Sequence, residues 1–288
     1  MLETLARYGY LGVNIFFVVS GYVISASAEG RDRLNFFRAR FTRLYPAFLI
    51  CFMVTLFVAL VQGQTVSVSQ ILANLTMVPR IFGQDALDGV YWSLMIEIIF
   101  YFVVLILLVG PMFKKSLGRF CVVWLALSVA NMLYPLPIRV LLILDWAPYF
   151  CVGCFAWLRW NAPELMWVKW MWLLSVIVAG MLAASQTKFN SWVAGFLFVA
   201  FAIAFRRLVT VQVSPKYRAG CLLVGALSYP VYLLHNVFGG WVARQSGSLI
   251  ITFAVVLVVS YFVTHCESAT RAILMKRGAT FQPASRKS

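Results

Sequence analysis

Residues 90–110 are V-Y-W-S-L-M-I-E-I-I-F-Y-F-V-V-L-I-L-L-V-G, and Glu97 is the one charged side chain among them. A helix needs about 20 predominantly apolar residues to cross the hydrocarbon core of a bilayer. A strand or a surface helix of a soluble protein would break such a run with polar positions every few residues. This stretch therefore predicts a transmembrane helix that carries one buried acid.

The whole chain has the same character, since 62% of its 288 residues are hydrophobic and 11% are charged. A soluble domain carries about a quarter charged residues, so this composition excludes a cytosolic enzyme, a disordered chain and a secreted disulfide scaffold. Nine spans are predicted, at about residues 9–28, 44–63, 90–110, 118–135, 140–158, 167–184, 189–205, 219–238 and 247–266. The predicted fold class is an all-α polytopic membrane protein, a single domain over 1–288 with about nine transmembrane helices.

The net charge of +15 would suggest nucleic acid as the partner of a soluble protein. The predicted spans divide the basic residues unevenly between the two sides of the membrane. Of the 24 lysines and arginines, 19 fall in one set of alternate loops and five in the other. The positive-inside rule then predicts an outside N-terminus and a cytoplasmic C-terminus, with a basic tail at 276–288. The predicted partner is the lipid bilayer, not nucleic acid. Between the second and third spans, residues 64–89 contain a predicted amphipathic segment on the outer interface.

Ionisable groups inside spans are the strongest functional signals, because each costs about 2.5–3.5 kcal/mol to insert. Three are predicted in the outer half of the membrane: Glu97, Asp145 and His235. If their helices adjoin, they surround a polar cavity in which a carboxylate and an imidazole serve as general base and proton carrier for a hydroxyl. The alternative is that Glu97 pairs with an arginine or a tyrosine and only ties helices together.

A second cluster is predicted on the cytoplasmic side, where residues 35–46 hold four aromatic side chains and the arginines Arg38, Arg40 and Arg43. Guanidinium groups bind phosphates in bidentate fashion, and an aromatic ring can stack on an adenine. The alternative is a positively charged membrane anchor with an aromatic belt. Composition alone favours the anchor.

Two other sequence patterns are weaker indications of function. Glu267 and Arg271 are spaced for an i,i+4 pair at the end of the last span, which is a structural interpretation. Cys151 and Cys154 resemble half of a zinc site, but no second ligand pair accompanies them, so no metal is predicted.

Four blocks resemble acyltransferase family 3, the bacterial integral-membrane O-acyltransferases that modify cell-surface sugars. Residues 12–24 resemble its G-V-D-I-F-F-x-x-S-G-F helix, with Asn14 where an acid is common. Residues 37–46 resemble its F-x-x-R-x-x-R-x-x-P segment. Residues 92–101 are similar to W-[ST]-L-x-x-E-x-x-F-Y, and 228–235 to S-Y-x-x-Y-L-x-H. The blocks occur in family order, and together they are specific.

The resemblance implies a bundle of about ten helices in the bacterial inner membrane. It implies an acetyltransferase that moves acetyl or another acyl group from cytoplasmic acetyl-CoA to a hydroxyl of an exopolysaccharide, a lipopolysaccharide or a related lipid-linked glycan. The polysaccharide biosynthesis machinery is then a further candidate partner. Arg40 and Arg43, with Arg38, then become candidates for the CoA phosphates, and Glu97, His235 and Asp145 for the acceptor side.

One departure from the family pattern stands out. Members usually begin with a helix carrying an arginine and, about ten residues later, a histidine taken to be central to acyl transfer, and this sequence starts after that helix. We expect a truncated sequence, or else an impaired or divergent member. Two other functions stay open at this point: a transporter or flippase for a lipid-linked glycan, and a non-catalytic subunit of a polysaccharide assembly complex.

Overall fold

A computed structural model describes residues 8–187 and 189–279. These residues form eleven α-helices, two short 3-10 helices and no strand. The α-helices are α1 (Leu11–Ala28), α2 (Arg33–Val61), α3 (Val68–Leu75), α4 (Tyr91–Leu107), α5 (Phe113–Leu133), α6 (Ala147–Asn161), α7 (Val168–Ser185), α8 (Ser191–Leu208), α9 (Pro215–Leu234), α10 (Val237–Ser246) and α11 (Leu249–Ala279). The 3-10 helices are Pro79–Phe82 and Pro137–Arg139. Most of the predicted basic tail at 276–288 lies outside the described residues.

The all-α membrane fold class is confirmed. Among the described residues, seven helices are long and apolar enough to cross a bilayer: α1, α2, α5, α7, α8, α9 and the Leu249–Thr270 part of α11. The shorter α4 is apolar as well. Each of the nine predicted spans overlaps a helix, two of which, α4 and α6, are shorter than the seven candidate spans. The helix α3 forms within the predicted amphipathic segment. The short α10 was not predicted, because the span prediction carried the preceding helix through to residue 238.

The predicted span at 140–158 is wrong at its beginning, and this moves Asp145 out of the helix. The helix α6 begins at Ala147, with Pro148 in its first turn, where the fixed φ of proline suits a helix start and its missing N–H costs no hydrogen bond. Residues 141–146 form turns, and Ile143 adopts a φ of 46°. Asp145 is therefore an exposed turn residue, not an acid within a span.

The chain divides into two compact units. The first consists of Met1–Phe37 and Ile96–Gln212, and the second of Arg38–Met95 and Val213–Ser288. The boundaries fall within α2 and α4, so each of these helices contributes to both units.

In the first unit, α6 is the central helix: its residues 147–158 are all buried. A helix that is apolar on every side belongs in the interior. It approaches α1 closely because glycines face each other there. A Cβ at Gly153 would overlap the Val18 carbonyl oxygen, and one at Gly21 would overlap that of Phe150. Small residues permit this backbone approach between membrane helices.

In the second unit, α11 packs along α9 and α10, and the apolar part of α2 forms a layer of rings. Phe48 stacks on Phe52 with ring centroids 5.9 Å apart and meets Tyr91 edge-on at 5.3 Å. Offset and edge-to-face pairs each stabilise by about 0.5–1.5 kcal/mol beyond burial. Tyr91 is the first residue of α4, so this layer helps to fix the segment that precedes Glu97.

Candidate functional site

Glu97 lies in α4, in the first unit, with 6% of its surface exposed. Tyr101, one turn later, donates its hydroxyl hydrogen to Glu97 Oε1 over 2.7 Å. A buried carboxylate is costly unless it accepts hydrogen bonds, and this bond offsets part of that cost. The alternative interpretation of Glu97 as a structural residue predicted an arginine or a tyrosine as its partner, and the observed partner is a tyrosine. The two residues share one helix, however, so this bond does not tie two helices together.

Aromatic rings pack around Phe100, three residues after Glu97 on the same helix. Phe100 is fully buried and stacks on Trp124 with centroids 5.8 Å apart, and it lies 4.5 Å from the Phe150 ring. Such a layer lowers the local dielectric constant, which strengthens every charge interaction of a neighbouring acid.

His235 directly follows the last residue of α9, and it is exposed. Its Nδ1 lies 2.6 Å from the Tyr232 carbonyl oxygen. Because a carbonyl oxygen only accepts, this contact assigns the proton of the neutral ring to Nδ1. The Nε2 lone pair is then the one that can accept a proton from a hydroxyl, which is the arrangement a general base requires.

Two of the four sequence blocks meet in the second unit. Tyr232, in the block that ends at His235, has its hydroxyl oxygen 2.7 Å from Ser93 Oγ, in the block that contains Trp92 and Leu94. Ser93 is buried and donates its hydroxyl hydrogen to the Val90 carbonyl over 3.0 Å. The contact with Tyr232 therefore uses the hydroxyl of the residue that follows the tryptophan of this block.

Asp88 is a site residue that the sequence reasoning missed. It is fully buried, and three donors converge on its carboxylate. Asn236 Nδ2 donates to Oδ1 over 2.7 Å, the Val237 N–H to Oδ2 over 3.2 Å, and the Val90 N–H to Oδ1 over 3.1 Å. A local signal existed, since an aspartate followed by glycine just before an apolar run is typical of a helix start. That signal gives no hint of the partner 148 positions away.

Asp145 accepts a 2.8 Å hydrogen bond from Asn131 Nδ2, and Asn131 Oδ1 accepts from the Leu136 N–H. Its carboxylate therefore fastens the turn before α6 to the end of α5. Glu97 and Asp145 belong to the first unit and His235 to the second. The shared polar cavity and the role of each residue stay predictions.

The three candidate arginines for phosphate binding, all on α2, differ in exposure. Arg38 is exposed, whereas Arg40 and Arg43 are half-buried. Arg43 forms an ion pair with Glu267, with Nη1 2.8 Å from Oε1, and the carboxylate side chain is 3% exposed against 29% for the arginine. The sequence predicted Arg271 as the partner of Glu267. The side chain of Arg271 lies outside the described residues, and Arg43 is a partner that no local spacing rule could supply.

The start of α2 also borders a groove in the first unit. Its volume is about 510 Å³, and its lining consists of Asp32, Arg33, Leu34, Phe37 and Leu105. Phe37 and Leu34 are both exposed. An exposed ring beside a guanidinium is the combination that a nucleotide can use, through stacking and a phosphate contact.

The cysteine pair of the possible half zinc site is buried in α6. The Cys154 thiol lies 3.6 Å from the Gly21 carbonyl oxygen, and the Cys151 thiol 3.6 Å from that of Cys121. Over the part of the chain that the structure describes, no group of three or more His, Cys, Asp or Glu residues could hold a metal ion.

These features define a class: a multi-pass membrane protein with a buried acid in one helix and an exposed histidine at the end of another. The family model described as "Acyltransferase domain" matches residues 3–265. The chain therefore belongs to acyltransferase family 3 and is an acyltransferase, which confirms the resemblance of the four blocks. Comparisons with the curated proteins and with the solved structures give no match.

Proposed function

We propose that the protein transfers an acetyl group, or a related acyl group, from acetyl-CoA to a hydroxyl of an exported glycan such as an exopolysaccharide or a lipopolysaccharide. The observation that carries the proposal is the family match over residues 3–265, a range that includes both Glu97 and His235. The acceptor hydroxyl oxygen attacks the thioester carbonyl carbon, and the C–S bond breaks. The hydroxyl proton passes to a protein base, and the CoA thiolate leaves and takes up a proton.

Two proton acceptors are available, one in each unit. His235 offers its Nε2 lone pair, because its Nδ1 proton is held by the Tyr232 carbonyl. Glu97 offers a carboxylate whose Oε1 already accepts from Tyr101. Separate substitution of the two residues establishes which of them takes the proton of the acceptor. Asp145 is the weakest of the three proposed residues, since it is an exposed turn residue bonded to Asn131.

We propose that the acyl donor binds at the arginine-rich start of α2, on the side that the charge distribution predicts to be cytoplasmic. Arg38 is exposed, and Arg40 lies two residues further along the same helix. The charge of Arg43 is largely compensated by Glu267, which makes it the least suited of the three to a CoA phosphate. The groove at Phe37 and Arg33 offers a surface on which the adenine can stack.

The test uses the purified 288-residue chain in lipid nanodiscs with acetyl-CoA labelled on the acetyl carbon and a glycan acceptor. We expect base-labile label on the glycan and release of free CoA in equal amounts. His235→Ala is expected to lower the turnover by about 100-fold or more, the usual contribution of a general base. In a parallel assay with the chain in sealed proteoliposomes, glycan movement across the bilayer without consumption of acetyl-CoA would indicate a transporter instead. A chain that inserts and folds but transfers nothing would indicate a non-catalytic subunit.

A further inference from the structure

The strongest unexplained feature outside the predicted site is the buried carboxylate of Asp88. Its three hydrogen-bond donors are all neutral: two backbone N–H groups and one side-chain amide. A fully buried acid that served stability alone would be replaced at little cost by a neutral residue of the same shape. Its position between two helix starts indicates a more specific task.

Asp88 lies at the beginning of two helices at once. Its backbone carbonyl accepts from the Tyr91 N–H and its Oδ1 from the Val90 N–H, so it caps the start of α4. Its Oδ2 accepts from the Val237 N–H, the first residue of α10. The N-terminus of each helix carries about half a positive charge. One carboxylate therefore neutralises two helix ends from segments that are far apart in sequence.

The segment held in this way is the one that carries His235. The chain leaves α9 at His235, turns at Asn236 and enters α10 at Val237. Asp88 binds the two residues that directly follow the histidine. On its other side, His235 is fixed through Tyr232, whose carbonyl holds Nδ1 and whose hydroxyl contacts Ser93. The two residues that hold this segment, Asp88 and Ser93, both lie in residues 88–93, which include the start of α4.

We infer that Asp88 is a positioning residue for His235: it holds the α9–α10 junction so that the imidazole keeps one orientation at the acceptor. This inference rests on the proposed function, because the orientation matters only if His235 handles a proton of the substrate. A displacement of about 1 Å at a reacting group can lower a rate by about 100-fold. Positioning therefore affects kcat, while the binding of acyl-CoA at the arginine-rich start of α2 is unchanged.

The test compares Asp88→Ala with an exchange of the two partners, Asp88→Asn combined with Asn236→Asp. The exchange again pairs a side-chain amide donor with a carboxylate acceptor, and it keeps a side-chain oxygen at position 88 for the Val237 N–H. It loses the hydrogen bond that the Val90 N–H donates to Asp88. The single substitution Asn236→Asp places two carboxylates face to face and is the matched control. Each chain is assayed for transfer and for hydrogen–deuterium exchange in peptides that cover residues 236–240.

We expect Asp88→Ala to lower kcat by about 100-fold with the KM for acetyl-CoA unchanged, and to accelerate amide exchange at the start of α10 by about 10-fold or more. The exchanged double variant is expected to recover at least about 10-fold of the kcat that Asn236→Asp loses. The inference is overturned if Asp88→Ala retains the wild-type kcat and protection, or if the double variant is no better than Asn236→Asp.

Failure of the proposed function itself gives a different pattern. If the wild-type chain transfers no acyl group, the hydrogen–deuterium exchange of residues 236–240 still decides whether Asp88 holds the α9–α10 junction. If the wild type is active and His235→Ala keeps the wild-type kcat, the junction can be ordered by Asp88 without any role in catalysis, and the positioning inference is wrong while acyl transfer stands.

Discussion

Replacing Glu97 with glutamine is expected to lower acyl transfer by about 100-fold or more and to leave the protein folded. Glutamine has nearly the same shape, and its Oε1 can still accept the hydrogen bond that Tyr101 donates to Glu97. What the substitution removes is the ability to hold and release a proton. A neutral amide is also cheaper to bury than a carboxylate, so we expect thermal stability in nanodiscs to stay equal or to rise.

The matched control for this experiment is Tyr101→Phe, which keeps the carboxylate and deletes its hydrogen-bond donor. If Glu97 is a proton acceptor, this variant retains most of its activity, and its loss is smaller than that of Glu97→Gln. If Glu97 is only a structural residue, the order reverses, since Glu97→Gln preserves the bond that Tyr101→Phe breaks. Wild-type turnover in Glu97→Gln contradicts the catalytic assignment.

The second large effect is expected on stability, at the ion pair between Arg43 and Glu267. Replacing Arg43 with methionine leaves a carboxylate that is 3% exposed without its cationic partner. Removal of one member of a buried pair costs about 3–5 kcal/mol. Because Arg43 is partly exposed, we expect the free energy of unfolding to fall by about 3 kcal/mol, the lower end of that range. The measurement is the free energy of unfolding in mixed micelles, followed by tryptophan fluorescence.

The double variant Arg43→Met with Glu267→Leu separates stability from binding. Apolar replacement of both partners is often neutral or stabilising, so we expect it to recover most of the lost stability. If the pair is purely structural, this variant also has the wild-type KM for acetyl-CoA. A KM that stays raised in the stable double variant would assign Arg43 to the CoA phosphates. Arg38→Met is the control: it removes an exposed charge and is expected to change stability by less than about 0.5 kcal/mol.

The span prediction succeeded because the bilayer imposes a local requirement: each crossing needs a continuous apolar run, and such a run is visible in the sequence. The run at 90–110 gave α4 directly. Asp145 was misplaced because hydropathy averages over a window and does not register that a helix begins at Ala147, with Pro148 in its first turn. The short α10 was missed because residues 237–243 continue an apolar stretch across the turn at Asn236, and hydropathy does not register that turn.

The contacts of the candidate site could not be predicted, because they join residues far apart in sequence. Ser93 and Tyr232 are 139 positions apart, and Arg43 and Glu267 are 224 apart. Local rules propose local partners, which is why the i,i+4 spacing pointed from Glu267 to Arg271. The motif blocks identified Ser93 and His235 as members of a pattern, but only the fold brings their two blocks together.

The most direct test of acyl transfer from a cytoplasmic donor to an acceptor on the other face uses sealed membrane vesicles of both orientations. Vesicles from cells that make the acceptor glycan receive labelled acetyl-CoA, which does not cross the bilayer. The account predicts ester-linked label on the glycan in inverted vesicles, whose cytoplasmic face is outward, none in right-side-out vesicles, and labelling at least about 100-fold slower in inverted vesicles carrying Glu97→Gln. Equal labelling in both orientations would contradict transfer from a cytoplasmic donor, and wild-type labelling in the Glu97→Gln vesicles would contradict the role of Glu97.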